Sequence, residues 1–179
     1  MQHLTASLGQ VTGEIESDPL SVAEAMRRPD RSKWYDAMKD KISRLQQRGT
    51  YEIIIPPAEA NILTSKWVYR TKKDEKGQIT GHRARLVVRG FNQIPDVDYF
   101  PDETFASVAK LASARTILSI GAEKNMFIHQ MDVKSTYLYG KLDDNKRIYM
   151  KAPPGIDLNV KPGQVLWLKL ALYGLEQAS

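Results

Sequence analysis

No cysteine occurs among the 179 residues, which excludes disulfide bonds, thiolate zinc sites and cysteine nucleophiles. The three histidines, His3, His82 and His129, are scattered and form no pair at the helical spacing of metal ligands. No apolar run approaches the roughly 20 residues that a membrane-spanning helix needs, and the N-terminus lacks the basic and then apolar order of a signal peptide. These absences predict a soluble, intracellular chain without a membrane partner.

Positive charge is concentrated in one short segment. The whole chain carries 26 basic and 21 acidic residues, for a net charge of +5. Residues 64–91 hold eight basic residues and two acidic ones, so this segment carries +6 and the remaining residues carry −1. Such a local excess is typical of a protein that binds a phosphate-bearing partner. The charge pattern alone leaves a solvated charged hairpin as the alternative.

The N-terminal part divides into a polar tail and two helices. Residues 1–17 are polar and without periodicity, which predicts disorder or a linker. Ser21, with Glu24 three residues later, has the spacing of a capping box, and Pro29 ends this first helix. The second helix carries one apolar stripe and ends at Gly49. The stripe comprises Trp34, Met38, Ile42 and Leu45.

Residues 66–90 have the alternation of a β-hairpin. On the first strand Trp67, Tyr69 and Thr71 fall on one face and the cations fall on the other. A turn with Gly77 reverses the chain, and apolar residues again alternate with arginines on the return strand. Because cross-strand neighbours share a face, the pattern predicts a surface that can grip phosphates. The cations expected to bind nucleic acid there are Lys66, Arg70, Arg83 and Arg89.

The rest of the chain mixes strand and helix patterns. A short strand is predicted at 51–55, and further strands at 126–133, 147–151 and 165–168. Residues 107–124 have the spacing of a helix. Its apolar stripe comprises Val108, Leu111, Ala114, Leu118 and Ala122. These elements predict an α+β fold in a domain that spans residues 18–179.

Asp132 ends the apolar stretch that begins at Met126, and Tyr137 follows it five residues later. A carboxylate at the end of a strand, close to a bulky ring, suits a divalent metal that holds a phosphate. An aspartate in this position can equally be a turn or cap residue. The neighbouring segments are what favour the metal site.

Six sequence blocks, taken in order, resemble copia-type retrotransposon reverse transcriptases. Each block matches the family in its residues and in its spacing from the next one, and the resemblance as a whole extends over residues 18–179. The blocks are residues 66–69, 83–93, 98–106, 130–140, 148–155 and 172–178. An unrelated α+β protein would have to match six ordered blocks by chance.

The resemblance implies the fingers and part of the palm of a right-hand polymerase. It places the N-terminal helices and the basic hairpin in the fingers, and a helix and strands in the palm. Asp132 matches the catalytic carboxylate that bridges two Mg²⁺ ions, and the carbonyl of Val133 completes one coordination shell. Tyr137 matches the ring that lies beneath the sugar and excludes a 2′-hydroxyl, with an ordinary core aromatic as the alternative.

The same resemblance implies a set of nucleotide contacts. Arg85 and either Lys72 or Lys73 match cations that clamp the triphosphate of an incoming dNTP, and the pattern does not decide between the lysines. Gly174 and Gln177 lie in the block that lines the base and template side of the site. The implied partners are an RNA template, a DNA primer, dNTP and the remainder of the Pol polyprotein.

The chain also departs from the family pattern. Glu176 replaces a usual lysine, Ser179 a proline and Thr136 an alanine. The Tyr-x-Asp-Asp turn that supplies the remaining catalytic carboxylates is absent, and Asp143-Asp144 is interpreted as a solvated turn because no tyrosine precedes it by two residues. We therefore expect a domain that is truncated before this turn and inactive alone. A degenerate or domesticated module that binds nucleic acid without chemistry is the alternative.

Overall fold

The computed structural model describes residues 17–101, 109–129, 131, 142 and 147–178. The helices in this part of the chain are α1 (Val22–Arg27), α2 (Arg31–Gln47) and α3 (Leu111–Glu123). The strands are β1 (Tyr51–Ile54), β2 (Ile62–Leu63), β3 (Ser65–Lys73), β4 (Ile79–Val88), β5 (Ile148–Met150) and β6 (Val165–Leu168). The predicted α+β class is therefore confirmed. None of the described helices has both the length and the apolar character needed to cross a membrane.

Helix α1 begins with the predicted cap. The amide of Glu24 donates to Ser21 Oγ over 3.1 Å, and the Glu24 carboxylate accepts from the amide of Leu20 over 2.9 Å. The carboxylate thus reaches one residue further back than in the usual capping box. The helix ends at Arg27, two residues before Pro29, as the sequence predicts.

Helix α2 buries its apolar stripe against the hairpin formed by β3 and β4. All four predicted stripe residues are buried. The rings of Trp34 and Tyr69 meet edge to face with their centroids 5.3 Å apart, and the Tyr69 hydroxyl donates to Met38 Sδ over 3.3 Å. Burial raises the pKa of Tyr69 to about 12, so this hydroxyl stays a donor at physiological pH.

The β3–β4 hairpin is antiparallel and has the predicted faces. Trp67 lies opposite Leu86 and Tyr69 opposite Ala84, and all four are buried. In the turn, Gly77 has a φ of +79°, which glycine adopts without strain. The turn therefore fixes the register that separates the apolar inner face from the charged outer face.

A four-stranded sheet has the strand order β1-β6-β5-β2. The β1–β6 and β6–β5 pairs are antiparallel, and β2 pairs with β5 in parallel. Strand β3 follows β2 after one residue, so the hairpin leaves directly from the edge of this sheet. The predicted strands at 51–55, 147–151 and 165–168 are confirmed within a residue.

The segment from residue 109 to residue 131 differs from the prediction. Helix α3 is shorter than predicted, and Leu111 and Leu118 of its apolar stripe are 64% and 48% exposed. The predicted strand at 126–133 is wrong for residues 126–129 and 131, which are not extended in a sheet. The reason is that β pairing needs a neighbouring strand, and none of the described strands pairs with this segment. An apolar run alone does not supply one.

Candidate nucleic-acid interface

The outer face of the hairpin carries the predicted cations. Here the outer face means the exposed side of β3 and β4 that lies opposite the buried aromatic residues. Lys66 is opposite Val87, Arg70 is opposite Arg83, and Arg85 is opposite Val68. Directly opposed residues share a face, so the register brings the four cations Lys66, Arg70, Arg83 and Arg85 together on one surface.

Arg70 and Arg83 are a like-charge pair in direct cross-strand register. Such a pair destabilises a hairpin, and one acid only partly compensates it. Asp18 Oδ2 lies 3.6 Å from the Arg70 guanidinium, whose side chain remains 72% exposed. The other oxygen of Asp18 accepts from the amide and the hydroxyl of Thr71, each over 2.6 Å. The outer face therefore keeps a net positive charge, and this charge does not stabilise the hairpin.

The register separates Lys72 from Lys73. Lys72 continues the alternation of Lys66 and Arg70, and it lies opposite Gly81. Its side chain passes over Gly81, at 3.9 Å from the position that a Cβ would take there. The ladder shifts between Lys72 and Lys73, so Lys73 pairs with Ile79. Lys72 is thus the lysine that shares the outer face with the arginines.

Arg89 lies just beyond β4, and its side chain is exposed. Its amide donates to the carbonyl of Thr64 over 2.8 Å, which extends the hairpin ladder by one pair. The side chain therefore stands at the base of the hairpin, whereas Arg70 and Arg83 lie further toward the turn. The structure consequently distributes the predicted cations along the whole length of the outer face.

Gly174 lies against the end of β4. It has a φ of +90°, and a Cβ at this position would overlap the carbonyl oxygen of Val88. The amide of Val88 donates to the carbonyl of Tyr173 over 2.7 Å. This glycine is required for backbone packing between the hairpin and the C-terminal segment, whatever ligand it meets.

Gln177 belongs to a polar network that joins the C-terminal segment to the loop that contains Gln93 and Asp98. Its Oε1 accepts from Gln93 Nε2 over 2.8 Å, and its Nε2 donates to the carbonyl of Asp98 over 3.3 Å. Gln93 and Asp98 are buried. Asp98 also accepts from Asn61 Nδ2 and from the amide of Ile94, over 2.6 and 2.8 Å. The network ties three chain segments together, and no sequence pattern predicted it.

Three predicted site residues, Asp132, Val133 and Tyr137, lie outside the described residues. Within the described ranges no cluster of three or more histidines and acids could hold a metal ion. The proposed magnesium ligands are therefore supported by the sequence alone. Their donor atoms, a carboxylate and a carbonyl oxygen, are of the kind that Mg²⁺ prefers.

Two further polar clusters were missed by sequence reasoning. Asp30, the residue before α2, accepts from Trp34 Nε1 over 2.9 Å, and the same oxygen lies 3.1 Å from His82 Nε2. Lys41 on α2 is half-buried beside the ring of Tyr173, with its Nζ 5.9 Å from the ring centroid. The available signal for Lys41 was its position three residues after Met38, at the border of the apolar stripe.

Most of the chain matches the profile of a known protein family. The family profile of the reverse transcriptase (RNA-dependent DNA polymerase) matches residues 48–179. The chain belongs to this reverse transcriptase family. The match includes the basic hairpin, the Gln93 network and the C-terminal segment, and it confirms the predicted resemblance. No solved structure gives a significant match.

The curated relatives include plant transposon polyproteins. The chain is 37% identical over 163 residues to the retrovirus-related Pol polyprotein from transposon TNT 1-94 of Nicotiana tabacum, covering 91% of this chain and 12% of the polyprotein. It is 34% identical over 164 residues to that from transposon RE1 of Arabidopsis thaliana, covering 91% of the chain and 11% of the polyprotein. The chain therefore spans a small part of the length of these relatives.

A shorter relative is also similar. An uncharacterized mitochondrial protein of Arabidopsis thaliana is 35% identical over 113 residues, which cover 63% of this chain and 64% of that protein. The similarity is thus found both in long polyproteins and in a protein of more modest length.

Proposed function

We propose that the chain forms the fingers and the beginning of the palm of a right-hand reverse transcriptase. In this function the outer face of the β3–β4 hairpin holds the phosphates of an RNA template, a DNA primer and an incoming dNTP. The observation that carries the proposal is the register of the hairpin, which places Lys66, Arg70, Arg83 and Arg85 on one exposed face. Arginine suits this role because its guanidinium binds phosphate oxygens in pairs.

The triphosphate contact is assigned to Arg85 and Lys72. Both belong to the outer face, whereas Lys73 follows the shift in the ladder. Arg85 is half-buried and lies opposite Val68, whereas Arg70 and Arg83 are exposed, so the Arg85 side chain has less conformational freedom to lose. A preordered cation loses less entropy on binding a triphosphate.

The chemistry is assigned to residues that follow α3. Asp132, with the carbonyl of Val133, would hold Mg²⁺, and Tyr137 would exclude ribonucleotides by volume. Two bound magnesium ions would favour attack by the primer hydroxyl and stabilise the leaving pyrophosphate. Because the sequence contains no Tyr-x-Asp-Asp turn, the 179-residue chain is proposed to be inactive alone, and it should incorporate no dNTP on a primed template with Mg²⁺ or Mn²⁺.

The binding function is tested by the salt dependence of affinity. The affinity of the whole chain for a duplex oligonucleotide is measured between 50 and 200 mM salt. Replacing Arg83, Arg85 and Arg89 by alanine should reduce the slope of log affinity against log salt by up to ~0.9 for each phosphate that these arginines neutralise. The matched control replaces Lys33, Lys39 and Lys151, three exposed lysines outside the hairpin, and should retain the slope. If the slope of log affinity against log salt is the same for both triple variants, the outer face is exposed to solvent and does not bind phosphate.

The catalytic assignment is tested in a completed enzyme. When the missing turn is supplied by fusion with an active relative, Asp132→Asn should reduce turnover by about a thousandfold or more, because it removes a charged metal ligand. Tyr137→Ala should leave dNTP incorporation measurable and should admit ribonucleotides. Near-parental turnover of Asp132→Asn would contradict the metal assignment, and unchanged sugar discrimination in Tyr137→Ala would make the ring structural.

A further inference from the structure

Two acids that flank α1 contact the same cross-strand pair of the hairpin. Asp18, before α1, accepts from the amide and the hydroxyl of Thr71 on β3, each over 2.6 Å. Asp30, after α1, has its Oδ2 3.1 Å from Nε2 of His82 on β4. Thr71 and His82 lie directly opposite each other. The two ends of residues 17–30, which we call the α1 segment, therefore contact both strands at one position of the ladder.

Arg28 joins the two ends of the α1 segment to each other. Its guanidinium donates to the carbonyl of Ser17 over 2.8 Å, and it lies 3.4 Å from Asp30 Oδ1 and 3.6 Å from Glu24 Oε1. The Arg28 side chain is 10% exposed, so solvent screens these charges less than it screens a surface ion pair. Because the ends are joined, the residues that contact β3 and β4 keep a fixed separation.

His82 is tied to α2 as well as to the α1 segment. Its side chain is 7% exposed, and its ring meets the Trp34 ring edge to face with the centroids 4.3 Å apart. The Trp34 Nε1 donates to the same Asp30 oxygen over 2.9 Å. Breaking a buried polar contact of this kind is costly, because the separated groups lose their partners away from water.

The contacts of the α1 segment lie next to the most repulsive position of the outer face. Thr71 stands between Arg70 and Lys72 on β3, and Arg83 follows His82 on β4. Arg70 and Arg83 are directly opposed, and such a like-charge pair tends to separate two strands. By contacting both strands at the neighbouring pair, the α1 segment keeps the three cations together on the outer face.

We propose that the α1 segment positions the outer face for phosphate binding, with Asp18 and Asp30 as its positioning residues. The proposal rests on the proposed function, since it takes a phosphate as the ligand of the outer face. Strand positions that are fixed before binding lose less conformational entropy when a ligand binds. The part of the outer face that carries Arg70, Lys72 and Arg83 is therefore preorganised by residues that touch no ligand themselves.

The charge of Asp18 and its contact with Thr71 have opposite effects on binding. Asp18 Oδ2 lies 3.6 Å from the Arg70 guanidinium, so as a negative charge it repels a phosphate, and its removal should raise the affinity. As a positioning residue it favours binding, and its removal should lower the affinity. Two substitutions of equal charge separate these effects. Asp18→Asn keeps a side-chain oxygen that can accept from Thr71, whereas Asp18→Ala does not.

The experiment measures the affinity of the whole chain for a duplex oligonucleotide at one fixed salt concentration. Asp18→Ala should bind about two- to tenfold less tightly than Asp18→Asn, because the strand position is no longer fixed before binding. Asp18→Asn should bind at least as tightly as wild type. Glu75→Gln, at an exposed acid in the hairpin turn, is the charge control and should also bind at least as tightly.

A second control separates positioning from a general loss of stability. Gly163→Ala strains a backbone with a φ of +83° outside the hairpin, and it should keep the wild-type affinity. Asp30→Ala removes the contact with His82 and should lower the affinity like Asp18→Ala. If Asp30→Ala does not fold, the comparison of the two Asp18 variants still decides. Equal affinity of these two variants, or tighter binding by Asp18→Ala, would overturn the proposal.

The failure of this inference is distinguishable from failure of the proposed function. If replacing Arg83, Arg85 and Arg89 by alanine leaves the salt dependence unchanged, the outer face does not bind phosphate and the proposed function fails. If that salt dependence falls as expected while Asp18→Ala and Asp18→Asn bind equally, the outer face binds phosphate and only the positioning role fails.

Discussion

Gly90 faces Gly174 so closely that a Cβ on Gly90 would overlap the carbonyl oxygen of Gly174. In the other direction, a Cβ on Gly174 would overlap the carbonyl oxygen of Val88. The end of the hairpin and the C-terminal segment therefore meet backbone to backbone. The family resemblance assigns Gly174 to the nucleotide site, and the structure gives it a packing role that is independent of any ligand.

Gly174→Ala should lower the free energy of unfolding more than Gly163→Ala does. Both glycines have a positive φ, +90° and +83°, so each alanine costs about 1–2 kcal/mol for the left-handed backbone. Only Gly174 has a neighbouring atom that the added Cβ would overlap, because nothing lies within 4 Å at Gly163. Urea unfolding measures the difference. Equal losses of stability would contradict the close approach.

The sequence predicted those elements of the fold whose conformation depends on residues close together in the chain. The Ser21 cap, the turn at Gly77 and the alternation around Tyr69 each depend on contacts within a hairpin or a helical turn, so the sequence carries them directly. The apolar stripe of α3 was predicted as well, but a periodic pattern does not tell which surface covers it. The exposure of Leu118 therefore could not be foreseen.

The same reason explains why only part of the candidate site could be predicted from the sequence. The cations of the outer face follow from the two-residue period of strands. The contact between Gln93 and Gln177 joins residues 84 positions apart, and the contact between Asp30 and His82 joins residues 52 positions apart. Such contacts are set by tertiary packing, which no local pattern in one sequence specifies.

Arg83→Thr should stabilise the hairpin at low salt. The substitution removes the like charge opposite Arg70 and places a good strand former in β4. We expect a gain of about 0.2–1 kcal/mol in the free energy of unfolding, and the electrostatic part of it should disappear at about 1 M salt, where charges are screened. Lys66→Thr is the control, because Lys66 lies opposite Val87. A loss of stability in Arg83→Thr at low salt would refute the repulsion.

Asp30→Asn should lower the free energy of unfolding at neutral pH. It should also make this free energy depend less on pH in the acid range. Burial raises the pKa of Asp30, but the contacts with His82, Arg28 and Trp34 together lower it more, so the net pKa lies below its ordinary value of 3.8. A carboxylate with a depressed pKa stabilises the fold above the unfolded pKa and loses that contribution as the pH falls through the folded one. The stability difference between wild type and variant should therefore shrink below about pH 4.

The check is urea unfolding of both proteins at pH 7 and at several pH values below 4. Asp36→Asn, on the exposed side of α2, is the matched control and should differ little from wild type at any pH. A constant difference between wild type and Asp30→Asn across the whole range would show that the Asp30 charge makes no contribution.

Gln177→Leu should distinguish a structural role of this side chain from a ligand-binding role. Both amide atoms of Gln177 are engaged, with Gln93 and with the Asp98 carbonyl, and the buried Gln93 amide would lose its acceptor. The cost of an unsatisfied buried group is about 1–3 kcal/mol, so the free energy of unfolding should fall by roughly this amount. Gln47→Leu, at an exposed site on α2, should change it by less than about 0.5 kcal/mol.

A double-mutant cycle with Gln93→Leu makes this test sharper. If the two amides stabilise each other, the second substitution should cost less in the presence of the first, because removing both partners leaves fewer unpaired groups than removing one. Gln93 also accepts from the amide of Glu176 over 2.9 Å, so part of its cost should remain in the double variant. If Gln177→Leu leaves the free energy of unfolding unchanged and lowers the affinity for nucleotide, Gln177 belongs to the ligand site and not to the network.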